Sequence, residues 1–183
     1  MSPFSSSVRY AAEMEFIPIS ANFIGNWSVK SHWQVYAEEA EKHGRTADPE
    51  IWRVAKNIHI ADTDAEAEAF VKQPGGRFDW YFDYLYRIFD RAQMKGAFVV
   101  NKGDDASELT HDMLRDNYTL YGSPETVAEK ILALREDIGH FGTLVLTAQD
   151  WVDADAMKRS MTLLAEEVMP KVNAAIGSQA AAD

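Results

Sequence analysis

Residues 121–170 constrain the fold more than any other stretch, because they spell a capped helix, a strand and a second helix in direct succession. Gly122-Ser123-Pro124-Glu125 is a helix start. Serine suits the N-cap, proline the first helical position, and an acid in the first turn meets the positive end of the helix dipole. Val127, Ile131, Leu134 and Ile138 recur at helical spacing, and Gly139 closes the segment. Thr143–Thr147 is a continuous apolar run, which predicts a parallel strand covered on both faces. A helix over 154–169 aligns Met157, Met161, Leu164 and Val168, with Pro170 expected to stop it and a flexible tail expected over about 173–183. Such an αβα unit belongs to a parallel α/β fold.

The upstream residues repeat the alternation. Ser2-Pro3-Phe4-Ser5-Ser6-Ser7 reads as a loop ahead of a short helix over 8–15, with a serine as its cap. Residues 16–23 form a candidate strand in which Pro18 is awkward. Ser28 is positioned to cap a long helix to His43, with Gly44 just beyond its end. The strand expected over 52–61 puts Trp52, Val54, Lys56, Ile58 and Ile60 on one side. Asp62-Thr63-Asp64 caps a helix over 65–72, and Pro74-Gly75-Gly76 breaks it. An aromatic helix follows over 78–89, then a mobile loop over 93–106 and a short helix over 108–117. Strands separated by helices imply right-handed parallel βαβ units. At 183 residues the chain is one domain, 1–183. A complete eight-stranded barrel takes about 250 residues.

Composition removes several classes of function. The net charge of −11 argues against nucleic-acid and anionic-membrane partners. With no cysteine, disulfides, thiolate catalysis and Cys-ligated metals are excluded. No apolar run approaches the ~18 residues of a membrane helix, and the N-terminus lacks a signal-peptide pattern, so cytoplasm is the default location. His32, His43, His59, His111 and His140 show no metal spacing, so no metal site is assigned and each reads as structural. His32 stands out because it follows a strand whose end could carry an active-site loop. Trp80, Tyr81, Phe82 and Tyr84 read as helix packing or a subunit interface.

Ser5, Ser6 and Ser7 precede a helix, whose free N–H groups and positive potential suit a phosphate, although serines there also serve simply as caps. Here the chain resembles the bacterial-luciferase-like flavin-dependent monooxygenases. The resemblance is carried by Ser5-Ser6-Ser7-Val8-Arg9-Tyr10-Ala11-Ala12, Ile17-Pro18-Ile19-Ser20, Ser31-His32-Trp33, Ile60-Ala61-Asp62-Thr63-Asp64-Ala65-Glu66-Ala67, Gly122-Ser123-Pro124-Glu125 and Val168-Met169-Pro170, in family order over about 3–172. It implies an α/β fold, the C-terminal half of a luciferase-like (β/α)8 TIM barrel with parallel strands alternating with helices. In the family the first half carries a catalytic histidine, a basic residue for the phosphate and much of the flavin pocket, so catalytic residues are unknown here. Met14-Glu15 stands where the family has a His-Gly-type turn, and positive φ is costly without glycine.

The resemblance further implies that Ser5, Ser6 and Ser7 hold the phosphate of FMN. Trp151, beyond the strand at Thr143–Thr147, either walls the flavin or substrate or covers the barrel rim. The region from about Gln93 to Asn117 corresponds to the family's active-site lid, here short. The implied activity is a flavin-dependent monooxygenase that uses reduced FMN and O2 to oxygenate a small apolar organic substrate, the FMN coming from a separate flavin reductase. Deazaflavin F420 is the alternative cofactor. A homo-oligomer, commonly a dimer in the family, or a missing N-terminal half are the expected partners. The alternative of another class is a catalytically inactive flavin-binding or structural half-barrel.

Overall fold

The computed structural model describes residues 7–148 and 153–180. Four strands form one sheet: β1 (Ile19–Ser20), β2 (Arg53–Ile60), β3 (Thr119–Gly122) and β4 (Thr143–Thr147). Helices alternate with them: α1 (Ser7–Glu13), α2 (Asn26–Lys42), α3 (Asp64–Val71), α4 (Arg77–Arg91), α5 (His111–Tyr118), α6 (Pro124–Ile138), α7 (Ala154–Leu163) and α8 (Met169–Ala180). Every strand pairing is parallel, and β2 makes all of them. Its first residues pair with Ile19 and Ser20, Arg53 to Asn57 pair with β4, and Asn57 to Ile60 pair with β3. The α/β class and the parallel alternation agree with the sequence reading.

Most helix ends follow their local chemistry. Thr63 caps α3 in a full capping box, accepting from the Glu66 amide while the Glu66 carboxylate accepts from the Thr63 amide. Ser123 caps α6, and Pro124 fills its first position. Asp64 then joins the two starts by accepting from the Ser123 amide at 2.7 Å and the Thr126 hydroxyl at 3.0 Å. Gly122 is required at this junction, since its φ is +149° and a Cβ there would lie 2.7 Å from Asp64 Oδ1.

Several expectations need correction. The strand expected over 16–23 is ladder-paired only at 19–20, because Pro18 lacks an amide to donate. Ser28 does not cap α2; Gly25 holds the N-cap position and Ser28 is buried inside the first turn. The expected mobile loop is anchored: the Tyr118 hydroxyl donates to the carbonyl of Phe98 or Val99, and Phe98 stacks on Phe89 at 3.6 Å. Strand β3 was hidden between two helical signals. Strand β4 forms where expected, but most of it is only half-buried rather than covered on both faces.

Pro170 does not stop the last helix. A wide π turn over Leu164–Val168, closed by the Met169 amide donating to Leu164 O, joins α7 to α8. Proline in a regular helix would clash with the carbonyl four residues back, and the wide turn accommodates it. The backbone is helical through Ala180, where a flexible tail was expected.

The backbone at Met14-Glu15 takes the positive-φ turn that the resemblance implied, without a glycine. Glu15 sits at φ +57°, one of two non-glycine residues with positive φ among those described. Arg45 holds the turn by donating to the Ala12 and Glu13 carbonyls and pairing with the Glu15 carboxylate.

The core has two main parts. One gathers Trp52, Val54, Phe78, Phe82, Leu134 and Ile138. The other packs Ile58 and Ile60 against Val127, Ile131, Leu163, Val168 and Val172. Alternation along β2 therefore sends Val54, Ile58 and Ile60 to the packed helices and turns Ala55, Asn57 and His59 to the opposite face.

Candidate active site at the carboxyl ends of the strands

Parallel α/β folds place ligands beyond the carboxyl ends of their strands; here one polar grouping joins the middle of β2 to the ends of β1 and β4, and a second lies at the end of β2. The first is centred on Asn57 of β2. Its Oδ1 accepts from Asn22 Nδ2 at 2.9 Å and its Nδ2 donates to the carbonyls of Asn22 and Tyr118. Asn22 Nδ2 also lies 3.1 Å from Tyr81 Oη and 3.2 Å from Thr147 Oγ1. Thr147 donates to the Lys56 carbonyl or Asn57 Oδ1. The end of β1, the middle of β2, the end of β4 and one turn of α4 are thus tied through buried amides. Burial pushes the Tyr81 hydroxyl pKa up, outweighing its bond to Asn22, so it stays protonated. This grouping fixes the floor of the site.

The second grouping lies at the end of β2. His59 is buried, stacks on Phe70 at 4.1 Å and meets Phe78 edge-on at 5.9 Å. Arg77 opens α4 with its guanidinium 4.6 Å from the Phe78 ring centre. Burial, then the Arg77 charge, lower the His59 pKa to about 4, while Asp153 opposes them. His59 is therefore neutral at pH 7.

His32 has a different setting from the one its position suggested. Trp52 Nε1 donates to Ser20 Oγ at 3.0 Å, and Ser20 Oγ lies 3.1 Å from His32 Nδ1. Ser20 Oγ can donate to Nδ1 or accept from it while accepting from Trp52, so the bond ties the ring to the sheet in either tautomer. Burial lowers its pKa to about 4. His32 is a core residue locked to the sheet.

A third cluster gathers Asp79, His111 and Asp112, whose ligand atoms lie within 4.8 Å of one another. Arg115 occupies the same carboxylates, at 2.7 Å from Asp112 and 3.4 Å from Asp79, and also pairs with Asp116. It reads as an ion-pair network joining α4 to α5.

Of the sequence-assigned site residues, Ser5, Ser6 and Trp151 lie outside the described residues. Ser7 is the exposed first residue of α1. Asn22, Asn57 and Arg77 carried no sequence assignment, His59 was read as structural and Tyr81 as helix packing or an interface residue; only the strand pattern of 52–61, which put 57 and 59 on one face, pointed toward the site.

Comparison with known proteins now adds to the geometry. No family model matches the chain. The chain is 39% identical over 170 residues to 3,6-diketocamphane 1,6-monooxygenase of Pseudomonas putida, covering 92% of this chain and 44% of that one. A second relative, 2,5-diketocamphane 1,2-monooxygenase 2 of the same organism, is 35% identical over 171 residues, covering 92% and 47%. The solved oxygenating constituent of Pseudomonas putida 3,6-diketocamphane monooxygenase, a type II Baeyer-Villiger monooxygenase in complex with FMN, superposes with a TM-score of 0.81 at 38% identity. That superposition covers 93% of this chain and 47% of the other.

The chain is homologous to these monooxygenases, in keeping with the luciferase-like resemblance of its sequence. It spans about half the length of these relatives. Among the described residues no helix is long and apolar enough to cross a membrane.

Proposed function

We propose that this chain forms the C-terminal half of a luciferase-like (β/α)8 barrel and contributes to a monooxygenase that binds reduced FMN, uses O2 and oxygenates a small apolar carbonyl compound. The observation that carries this reading is the TM-score of 0.81 at 38% identity to a monooxygenase in complex with FMN. The same likeness favours FMN over deazaflavin F420. Two features support a barrel completed by other strands. Most of β4 is half-buried although parallel strands are normally covered on both faces, and among the described residues it pairs with β2 alone. Phe16 and Ile17, which lead into β1, are 52% and 53% exposed. A first-half polypeptide, separate or continuous with this one, would cover these surfaces; a second copy is the other candidate.

The residues present fit a ligand bearing oxygen atoms, since buried donors at the end of β2 lack acceptors. In this reading Ser5, Ser6 and Ser7 hold the phosphate at the start of α1, and Trp151 walls the pocket beyond β4. Bound FMN, reduced by a partner reductase, supplies the oxygen chemistry. This chain's part is to bind, to orient and to keep water out: the Asn22–Asn57–Tyr81–Thr147 grouping holds the strand ends in register, and Phe70 and Phe78 line an apolar wall.

Flavin fluorescence tests the proposal, measured on the purified chain alone and mixed with the first half of a diketocamphane monooxygenase. Quenching in the mixture, with oxygenation of a diketone under reduced FMN, is expected. Quenching without turnover would assign the chain to the inactive flavin-binding or structural class. Absence of quenching in both samples would remove the flavin reading.

A further inference from the structure

At the end of β2, two polar side chains are left without partners where burial makes that costly. His59 is 2% exposed, and its Nδ1 has no hydrogen-bond partner. Arg77 has its Nε and Nη2 buried with none either, while its Nη1 contacts Met157 Sδ. Both side chains pack on the Phe78 ring, and Phe70 covers the other side of the imidazole. Asp153 attracts the guanidinium but is exposed, and its Oδ1 accepts from the Ala156 amide as the cap of α7. Arg77 is half-buried as a residue, but its Nε and Nη2 are shielded from solvent, and donors left so without an acceptor are costly, which suits them to a visiting ligand oxygen.

We propose that Arg77 Nε and Nη2, together with His59 Nδ1, bind a carbonyl oxygen of the organic substrate and so select carbonyl compounds over hydrocarbons of the same size. The proposal rests on the monooxygenase reading and adds the substrate's recognition group to it. Its chemistry is specific. The fork presents two parallel N–H groups to one or two oxygen lone pairs, and the imidazole adds a neutral donor. Aromatic walls accept the hydrocarbon body. A ligand without an oxygen would leave the same donors unpaired, which is the arrangement that rejects analogues most strongly. Arg77 lies at the start of α4 and His59 at the end of β2, so both sit where a parallel α/β fold receives its ligand.

The test is equilibrium binding of 2,5-diketocamphane and of limonene to the full chain, with FMN and riboflavin binding followed on the same preparations. The wild type is expected to bind the diketone about tenfold or more tightly than limonene. Arg77→Met should abolish that preference while leaving limonene within about twofold. Arg77→Lys, which keeps the charge without the fork, should restore part of it. Three results would overturn the proposal: no diketone preference in the wild type, equal losses for both ligands in Arg77→Met and Arg77→Lys, or a Met variant weakened toward FMN but not riboflavin. The last would give the fork to the flavin phosphate. FMN binding without a diketone preference sinks this inference alone. Loss of FMN binding with the preference intact sinks the flavin reading alone.

Discussion

Strands β2 and β4 lie side by side in one parallel register, yet their surroundings differ. From Val54 to Ile60 every residue of β2 is buried, whereas β4 is half-buried from Leu144 to Thr147 and exposed at Thr143. Apolar content does not explain this. Thr-Leu-Val-Leu-Thr is the more apolar run, while β2 carries Lys56, Asn57 and His59. Position in the sheet decides it. β2 pairs with three other strands and receives helices on one face and α4 with Tyr81 and Phe78 on the other. β4 has one neighbour among the described residues. A strand's sequence states what it can bury, and the neighbours determine what it does bury.

Paired truncations test the contrast most directly. Ile58→Ala on β2 should cost about 4 kcal/mol and Leu146→Ala on β4 about 1 kcal/mol, read from urea midpoints. Equal costs would show that β4 is already covered. Adding a first-half partner should raise the Leu146 cost toward that of Ile58 and leave the latter unchanged.

Acid is expected to act through the buried side of the comparison. β4 has no titratable side chain, whereas His59 lies on β2 and His32 is bonded to Ser20 of β1. Both histidines hold a pKa of about 4 against 6.5 in the unfolded chain. Below 6.5 the unfolded state takes up protons that the folded state refuses, so stability is full above that pH and falls as pH drops toward 4. The loss is about 3 kcal/mol for each histidine. His59→Phe should flatten this dependence by about half; an unchanged slope would mean that the imidazole is not held neutral by burial.

Asn57→Leu should cost about 2 kcal/mol by orphaning the amides and carbonyls that meet it. Its diagnostic feature is that Thr147 at the end of β4 should exchange faster as well, since the two strands share that bond. Unchanged exchange at Thr147 would mean that the grouping does not tie the strands. The smallest expected effect is Glu15→Gly before β1. Relief of the positive φ should stabilise by about 1 kcal/mol, partly offset by the lost pairing with Arg45, and thermal melting would show it.

These contrasts also show what the sequence could carry. Thr63 with Glu66 and Ser123 with Pro124 are complete local instructions, and both helix starts form as read. Gly44 at φ +72° and Gly139 at φ +98° end their helices for the same reason. Strand β3 was illegible because four residues between two helices give too little alternation to detect. The coverage of β4 was misjudged because burial depends on strands that its own residues do not specify. The site was harder still. Asn22, Asn57, Tyr81 and Thr147 converge across as many as 125 positions, and no spacing rule announces such a meeting. Nothing in the sequence marked Arg77; its buried donors without acceptors distinguish it.

The π turn between α7 and α8 has one further consequence. Inward residues step by three or four along α7 and α8, from Met157 to Ser160 to Leu163 and from Val168 to Val172, but the step from Leu163 to Val168 is five. The wide turn absorbs the surplus and lets both segments face the same core. This rod therefore stores one residue of slack. Deleting a single position between 164 and 167 should tighten the coil without turning either apolar stripe outward, whereas the same deletion inside α6 would rotate its stripe off the sheet.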